Sequence, residues 1–391
     1  MKEWAPSCGQ DAGAEPAAEA AFRRLREQPC FADKSGMLAL FARLCGTEGR
    51  FACISRPRGF GKSADACLLA SGFGPHGGRL LAGLEAERAP CFKRSATGFQ
   101  TVFLDMEALL AESRGGEAFI VRLEGQAAAC LGFPNASLAC ALQEVCRHRQ
   151  GQFVLVVDGW DAPLEARWLA GPCLARYCAL LEGLCRAREA WALVCLFGEA
   201  PLERCPGLMA GLPRFASFSM RNPGPFGPWT GVGEPCVRRI CQEQGLDFES
   251  LLSWHGGWRW DLSSRMFAPV SVAGFVKVRR PGRFFAGPWA DTLLADMLAG
   301  RPELCGALSR LAEGGRERLA ARPGLKEGFA ASTTDACLLR LVHAGLLGYR
   351  LHTGQLVVPC REVRLCLLEA LAGVDEQSGR KARLDVCKVR S

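Results

Sequence analysis

The stretch FACISRPRGFGKSADACLL, residues 51–69, decides how the chain reads. It opens on an apolar run, residues 51–55, with the length of a buried strand, and it closes on the first turns of an apolar helix. Between the two, Gly61, Lys62 and Ser63 supply the second half of a phosphate-binding loop, G-x-x-x-x-G-K-[ST]. Arg56 stands where the first glycine of that pattern belongs. Such a loop works because successive main-chain N–H groups point at phosphate oxygens, with a helix N-terminus behind them. Gly61 lets the main chain approach closely, Lys62 would pair with the outer phosphates, and Ser63 would hold Mg2+. A Gly-Lys-Ser triplet is common by chance, so the flanking chain must supply the rest.

Working outward, three more stretches read as buried strands: FQTVFLDM (99–106), GQFVLVVDGWDAP (151–163) and AWALVCLFGE (190–199). Helical spacing fills the gaps, in EAFIVRLEGQAAACL, ASLACALQEVCRHR and YCALLEGLCRAR. Apolar strands alternating with helices predict an α/β fold, a parallel sheet covered by helices on both faces. The run VLVV entering Asp158 has the form of a Walker B strand, whose carboxylate holds the magnesium shell. Its ordinary structural reading is a buried strand ending in an Asp-capped turn. The order, loop first and strand with Asp later, favours a nucleotide site. Gly159 follows Asp158, where most such ATPases carry a carboxylate that orients the attacking water. Asp161 is the candidate to replace it, with Glu165 further along.

Upstream, AAEAAFRRLREQ has helical spacing, and SGMLALFARLCG predicts a second helix with Ser35 as cap and Gly46 as stop. The texture changes near Arg214, where RNPGPFGPWTGVGEP is rich in Gly and Pro. The last third reads helix, helix, hairpin, helix, the order of a smaller, mainly helical, winged-helix-like region. The expected organisation is an arm and helix over 1–29, the P-loop domain over 30–215, a small helical region over 216–300, the winged-helix-like region over 301–373, and a polar tail over 374–391.

Composition sets outer bounds. Of 391 residues, 49% are hydrophobic and 23% charged, a globular balance, and the net charge of +8 permits an anionic partner without demanding one. The 21 cysteines include no C-x-x-C pair. A zinc or redox motif is therefore not expected, and the cysteines read as buried free thiols in a reducing cytoplasm. No signal-peptide core and no uncharged membrane-length run is evident in the sequence.

Other features have mainly structural readings. His255 in WHGGW reads as a turn residue, because no second histidine lies at metal-binding spacing. Trp254, Trp258 and Trp260 read as packing rather than base stacking. Arg279, Arg280 and Arg283 read as a solvated face, with phosphate contact as the functional alternative.

The string SRPRGFGKS, with DKSG at residues 33–36, resembles the AAA-ATPase-like family of bacterial proteins, often fused to a nuclease-like domain of the PD-(D/E)XK superfamily. In that family the first glycine of the loop is regularly absent, and Gly59 here replaces an arginine. VLVVDGWDAP is similar to the family's Walker B segment, LLSWHGGWRW…FAPVSV to its next shared segment, and HAGLLGYRLHTGQLVVPCREVR to a later one. The resemblance implies ATP and Mg2+ as cofactors. Arg56, Arg58, Gly59, Gly61, Lys62 and Ser63 would face the nucleotide, and Ser63 and Asp158 the metal. Two departures stand out. Gly159 replaces the Walker B glutamate, and Phe197-Gly198 stands where the family tends to have Thr-Gly. The tail has no D…[DE]-x-K arrangement, Val386 standing where the acidic ligand would be, so nuclease activity is not carried over. The expected function is ATP binding with slow or absent hydrolysis. The alternative is a non-catalytic scaffold on a degenerate P-loop fold, and a nucleic-acid partner for the C-terminal region is a lesser expectation.

Overall fold

A computed structural model describes residues 15–89, 92, 98–259, 265–315, 317–319 and 333–377. Trp260, the tail from 378 onward and Val386 within it lie outside the described residues. The chain divides into two compact units. The first runs to Arg56 and takes in Gly61–Ser219 and Gly224–Trp229; the second comprises Pro57–Phe60, Met220–Pro223 and the chain from Thr230 onward.

The first unit is built on five strands: β1 (Phe51–Ser55), β2 (Gln100–Asp105), β3 (Phe153–Asp158), β4 (Trp191–Gly198) and β5 (Ala216–Phe218). All pairings are parallel, in the order β2-β3-β4-β1-β5. The helices that bear on it are α1 (Ala17–Arg26), α2 (Leu38–Leu44), α3 (Lys62–Phe73), α4 (Met106–Ala111), α5 (Gly116–Cys130), α6 (Leu138–His148) and α7 (Pro172–Arg186). Successive side chains along a strand point to opposite faces. Phe51, Cys53, Leu155, Val157, Val194 and Leu196 join a core with α5, α6 and α7. Ala52, Ile54, Val154, Val156, Cys195 and Phe197 join a second core with α1, α2 and α3. Burial on both faces is why these strands read as unbroken apolar runs. This is an α/β P-loop-type fold, a parallel sheet covered by helices on both faces, with the phosphate-loop sequence leaving the end of β1.

Register levels the carboxyl edge of the sheet. Ser55 lies opposite Gly198, Phe197 opposite Asp158, and Asp158 opposite Asp105. The ends of β1, β4, β3 and β2 therefore stand at one height, the usual place for ligands in open α/β sheets. One local expectation needs correction. Ser35 does not cap a helix: it begins a 3-10 turn, and its hydroxyl accepts from Ala86 N at 2.9 Å.

In the second unit, β6 (Val232–Gly233) pairs antiparallel with β7 (Met266–Phe267), among the helices α8 (Glu234–Gln244), α9 (Phe248–His255) and α10 (Pro269–Val278). Then come α11 (Pro288–Leu298), α12 (Pro302–Ala312), β8 (Glu317–Arg318), α13 (Thr334–His343), β9 (Gly348–Arg350), β10 (Gln355–Val357) and α14 (Arg361–Gln377). The antiparallel order β8-β10-β9 after α12, with α13 before the hairpin, is winged-helix-like. On α13, Cys337, Leu338, Leu339, Leu341, Val342 and His343 are buried.

Glu362 organises this unit. It is fully buried and accepts from Phe285 N at 2.5 Å, Ala286 N at 2.9 Å, Ser271 Oγ at 3.1 Å and His255 Nδ1 at 2.8 Å. His255 is thus a core residue on α9, not a turn residue. Trp258 is buried too, its indole N–H donating to Gly345 O, with Phe60 and Phe285 edge-on to its ring. The arginine group has structural partners as well: Arg279 donates to the carbonyls of Gln244 and Gly245, and Arg283 pairs with Asp291 and Glu369.

Every described cysteine is a free thiol. Burial pushes Cys53 up to about 12 and Cys195 well above its ordinary value. Such thiols are packing groups, unreactive at neutral pH.

Candidate functional site

The site is assembled where β1 hands over to α3. Gly61 precedes α3 in a left-handed conformation, φ 82°, and Gly59 has φ 80°. Residues with a Cβ pay about 1 kcal/mol or more there, which is why glycine serves at both turns. A side chain at 59 would also bring its Cβ within 2.6 Å of Val270 Cγ1, so the arginine of the resembling family does not fit this backbone.

Lys62 and Ser63 open α3. Lys62 is buried, and its ammonium lies 3.2 Å from Glu199 Oε1. Ser63 is exposed in the first turn of α3 and lies near enough to Asp158, at the end of β3, to favour its ionised form. Asp158 is pushed up to about 6, first by burial and then by the neighbouring carboxylates Asp105 and Glu107, against the influence of the Ser63 hydroxyl and the charge of Lys62. Glu107, exposed in the first turn of α4, lies beside Gly159, whose added Cβ would stand 3.5 Å from Glu107 Cγ.

Asp161 occupies a different role from the one expected of it. It is buried, and its Oδ2 accepts from Glu199 N at 2.8 Å and from Ala200 N at 2.6 Å. A carboxylate oxygen engaged by two N–H groups anchors the loop after β4. Burial pushes Asp161 up to about 6, and the nearby Glu199 adds to this while the Ala200 N–H and Lys62 oppose it. Arg56 also departs from expectation. Its guanidinium is buried, with Nη1 donating to the carbonyls of Ser55 and Phe218 at 2.8 and 2.9 Å, which ties the short edge strand β5 to β1. Burial lowers its pKa to about 10, so it remains a cation at neutral pH. Arg58 is exposed in the loop.

Sequence reasoning missed three contributors. Lys34 forms a buried ion pair with Asp65 on α3 at 3.1 Å, and burial still raises Asp65 despite that partner. Asp33 accepts from Ser35 N and Glu85 N, fixing the segment that carries Lys34. Glu199 is the third. No spacing rule relates it to Lys62, because the contact crosses from β4 to α3.

Because Asp158 has a raised pKa, its charged form opposes folding. The penalty is relieved as pH falls toward its ordinary value of 3.8 and is complete above about 6. Asp158→Asn should therefore stabilise the nucleotide-free protein at pH 7.5, by up to about 3 kcal/mol for a shift of roughly two units. The gain should shrink toward pH 4. Urea melts of both proteins at the two pH values check this; a destabilised variant at pH 7.5 contradicts it.

No protein-family model matches the chain, and no curated protein matches it. Among solved structures it is similar to the Walker-type ATPase PABY2304 of Pyrococcus abyssi, with 16% identity, 88% of this chain and 95% of that chain covered, and a TM-score of 0.45. No helix among the described residues is long and apolar enough to cross a membrane.

Proposed function

We propose that the chain binds ATP with Mg2+ and hydrolyses it slowly or not at all. One observation carries the reading: Lys62 and Ser63 open α3 after a left-handed Gly61, at the carboxyl edge of the sheet where β3 ends on Asp158, and both act on that carboxylate. In this reading Lys62 pairs with the outer phosphates, and the main chain from Gly59 to Ser63 cradles them with Arg58 alongside. Ser63 and Asp158 would hold Mg2+, which neutralises charge on the transferring phosphoryl group. The donor set is oxygen only, which suits that ion. Among the described residues no group of three or more acidic, His or Cys side chains could hold a metal. That fits an ion completed by phosphate and water oxygens. Arg56 leaves the phosphate-binding set because its guanidinium is engaged by main-chain carbonyls. The loop string supports membership of the AAA-ATPase-like family.

Calorimetric titration with ATP, with and without Mg2+, tests the reading. Magnesium-dependent binding tighter than about 1 mM is expected. Weaker binding leaves the second reading, a scaffold on a degenerate nucleotide fold. That reading is favoured by Gly159, which places no carboxylate beside Asp158, and by the anchoring of Asp161.

Putting a glutamate back at 159 should not restore turnover. Gly159 has φ 67°, and the Cβ contact with Glu107 is an ordinary one. The obstacle is therefore the backbone, at about 1–2 kcal/mol, together with a further carboxylate crowded against Asp158. Gly159→Glu is expected to lower the melting temperature without raising phosphate release. A clear gain in hydrolysis would mean the turn can leave its left-handed form.

A further inference from the structure

We infer that Glu199 supplies the water-orienting carboxylate that position 159 lacks. The inference rests on the ATP-binding reading above and names the group through which any turnover passes.

The case starts from Lys62. In a phosphate-binding loop the lysine ammonium marks the position of the outer phosphates. The Glu199 carboxylate lies 3.2 Å from that ammonium and is only partly exposed, its side chain 34% accessible. A group in contact with Lys62 is within one further contact distance of the terminal phosphate. Its placement is enforced: Asp161 holds the main-chain N–H groups of Glu199 and Ala200, so the loop after β4 is pinned at its first two residues. Register brings this about. Asp158 ends β3 opposite Phe197, so residue 199, the first after β4, emerges just above the level at which a Walker B strand ordinarily offers its second carboxylate. The space at 198 is closed, because a Cβ there would meet Trp160 Nε1 at 2.4 Å and Asp161 Oδ1 at 2.7 Å. The first position at this edge of β4 with room for a long side chain is therefore 199, just past the strand. The competing carboxylate, Glu107, lies beside Gly159 and acts on Asp158.

In the reaction, a water hydrogen-bonded to Glu199 attacks the terminal phosphorus. The bond from that phosphorus to the bridging oxygen breaks, and its electron pair stays on the ADP oxygen. The water's proton passes to the Glu199 carboxylate and from there to solvent, giving ADP, inorganic phosphate and one proton. Lys62, released from its pairing with Glu199 by the incoming phosphates, offsets the charge on the phosphoryl oxygens.

The test compares the full chain with Glu199→Gln, Glu199→Asp and Glu107→Gln, measuring MgATP affinity and single-turnover phosphate release. Glu199→Gln should bind MgATP within a few-fold of the parent while releasing phosphate at least about 50-fold more slowly, the scale of a lost positioning and proton-accepting group. Glu199→Asp should keep part of the rate, and Glu107→Gln nearly all of it. A purely structural Lys62–Glu199 pair predicts the opposite: Glu199→Gln then frees Lys62, tightens ATP binding and leaves phosphate release unchanged or faster. That outcome overturns the inference alone, as does a parent protein that binds MgATP with no turnover, or a loss of rate confined to Glu107→Gln. Failure of the parent to bind MgATP overturns the inference together with the reading beneath it.

Discussion

Lys62→Ala should weaken MgATP binding by about 2–3 kcal/mol, roughly 30- to 150-fold, the scale of a charge-assisted phosphate contact. The fold should survive the change. Lys62 opens α3 rather than sitting mid-core, its ion pair is to a partly exposed glutamate, and alanine is a good helix former. The positive charge also faces Asp158 and Asp161, so its loss should raise both aspartates further and make metal-dependent binding fail at a higher pH. Titration of the variant at pH 6 and pH 8 separates the two effects. Equal affinity in parent and variant would remove Lys62, and with it the nucleotide reading, from the account of this chain.

Glu362→Ala should be the most damaging single change to the second unit. It strands two main-chain N–H groups, those of Phe285 and Ala286, and leaves Ser271 and His255 without their acceptor, all in the interior. At about 1–3 kcal/mol for each buried group left unsatisfied, the sum reaches on the order of 4 kcal/mol or more even after relaxation. That is a large part of a typical domain's stability. The expected result is loss of cooperative unfolding for this unit, and rapid proteolysis of the chain beyond Thr230. Glu362→Gln keeps one acceptor oxygen and should retain the fold at lower stability. Unchanged urea midpoints for both variants would show that the four donors find other partners.

The two predictions differ in how far sequence alone could reach them. Lys62 announces itself, because a phosphate loop is a local device: two glycines, a lysine and a hydroxyl within five residues, between a strand and a helix. The strands β1, β3 and β4 are equally plain, since burial on both faces demands unbroken apolar runs. Asp158 follows from the same logic, at the end of such a run. Each of these is specified by neighbours along the chain.

The rest depends on pairings that no local pattern encodes. Strand β5 is three residues long and follows a stretch broken by Pro206, Gly207, Gly211 and Pro213, so only its pairing with β1 and the guanidinium of Arg56 identify it. Arg56 and Asp161 carry residue types suited to phosphate or water, yet burial and main-chain partners assign them to holding the sheet and the loop after β4. Glu362 lies 107 residues from His255, and Glu199 lies 137 residues from Lys62. Sequence determined that this chain builds a parallel sheet with a phosphate-type loop, because strand burial and loop geometry are short-range demands on residue type. Which carboxylates face that loop was decided by tertiary structure, because strand order and register, not spacing along the chain, bring β4's end beside α3.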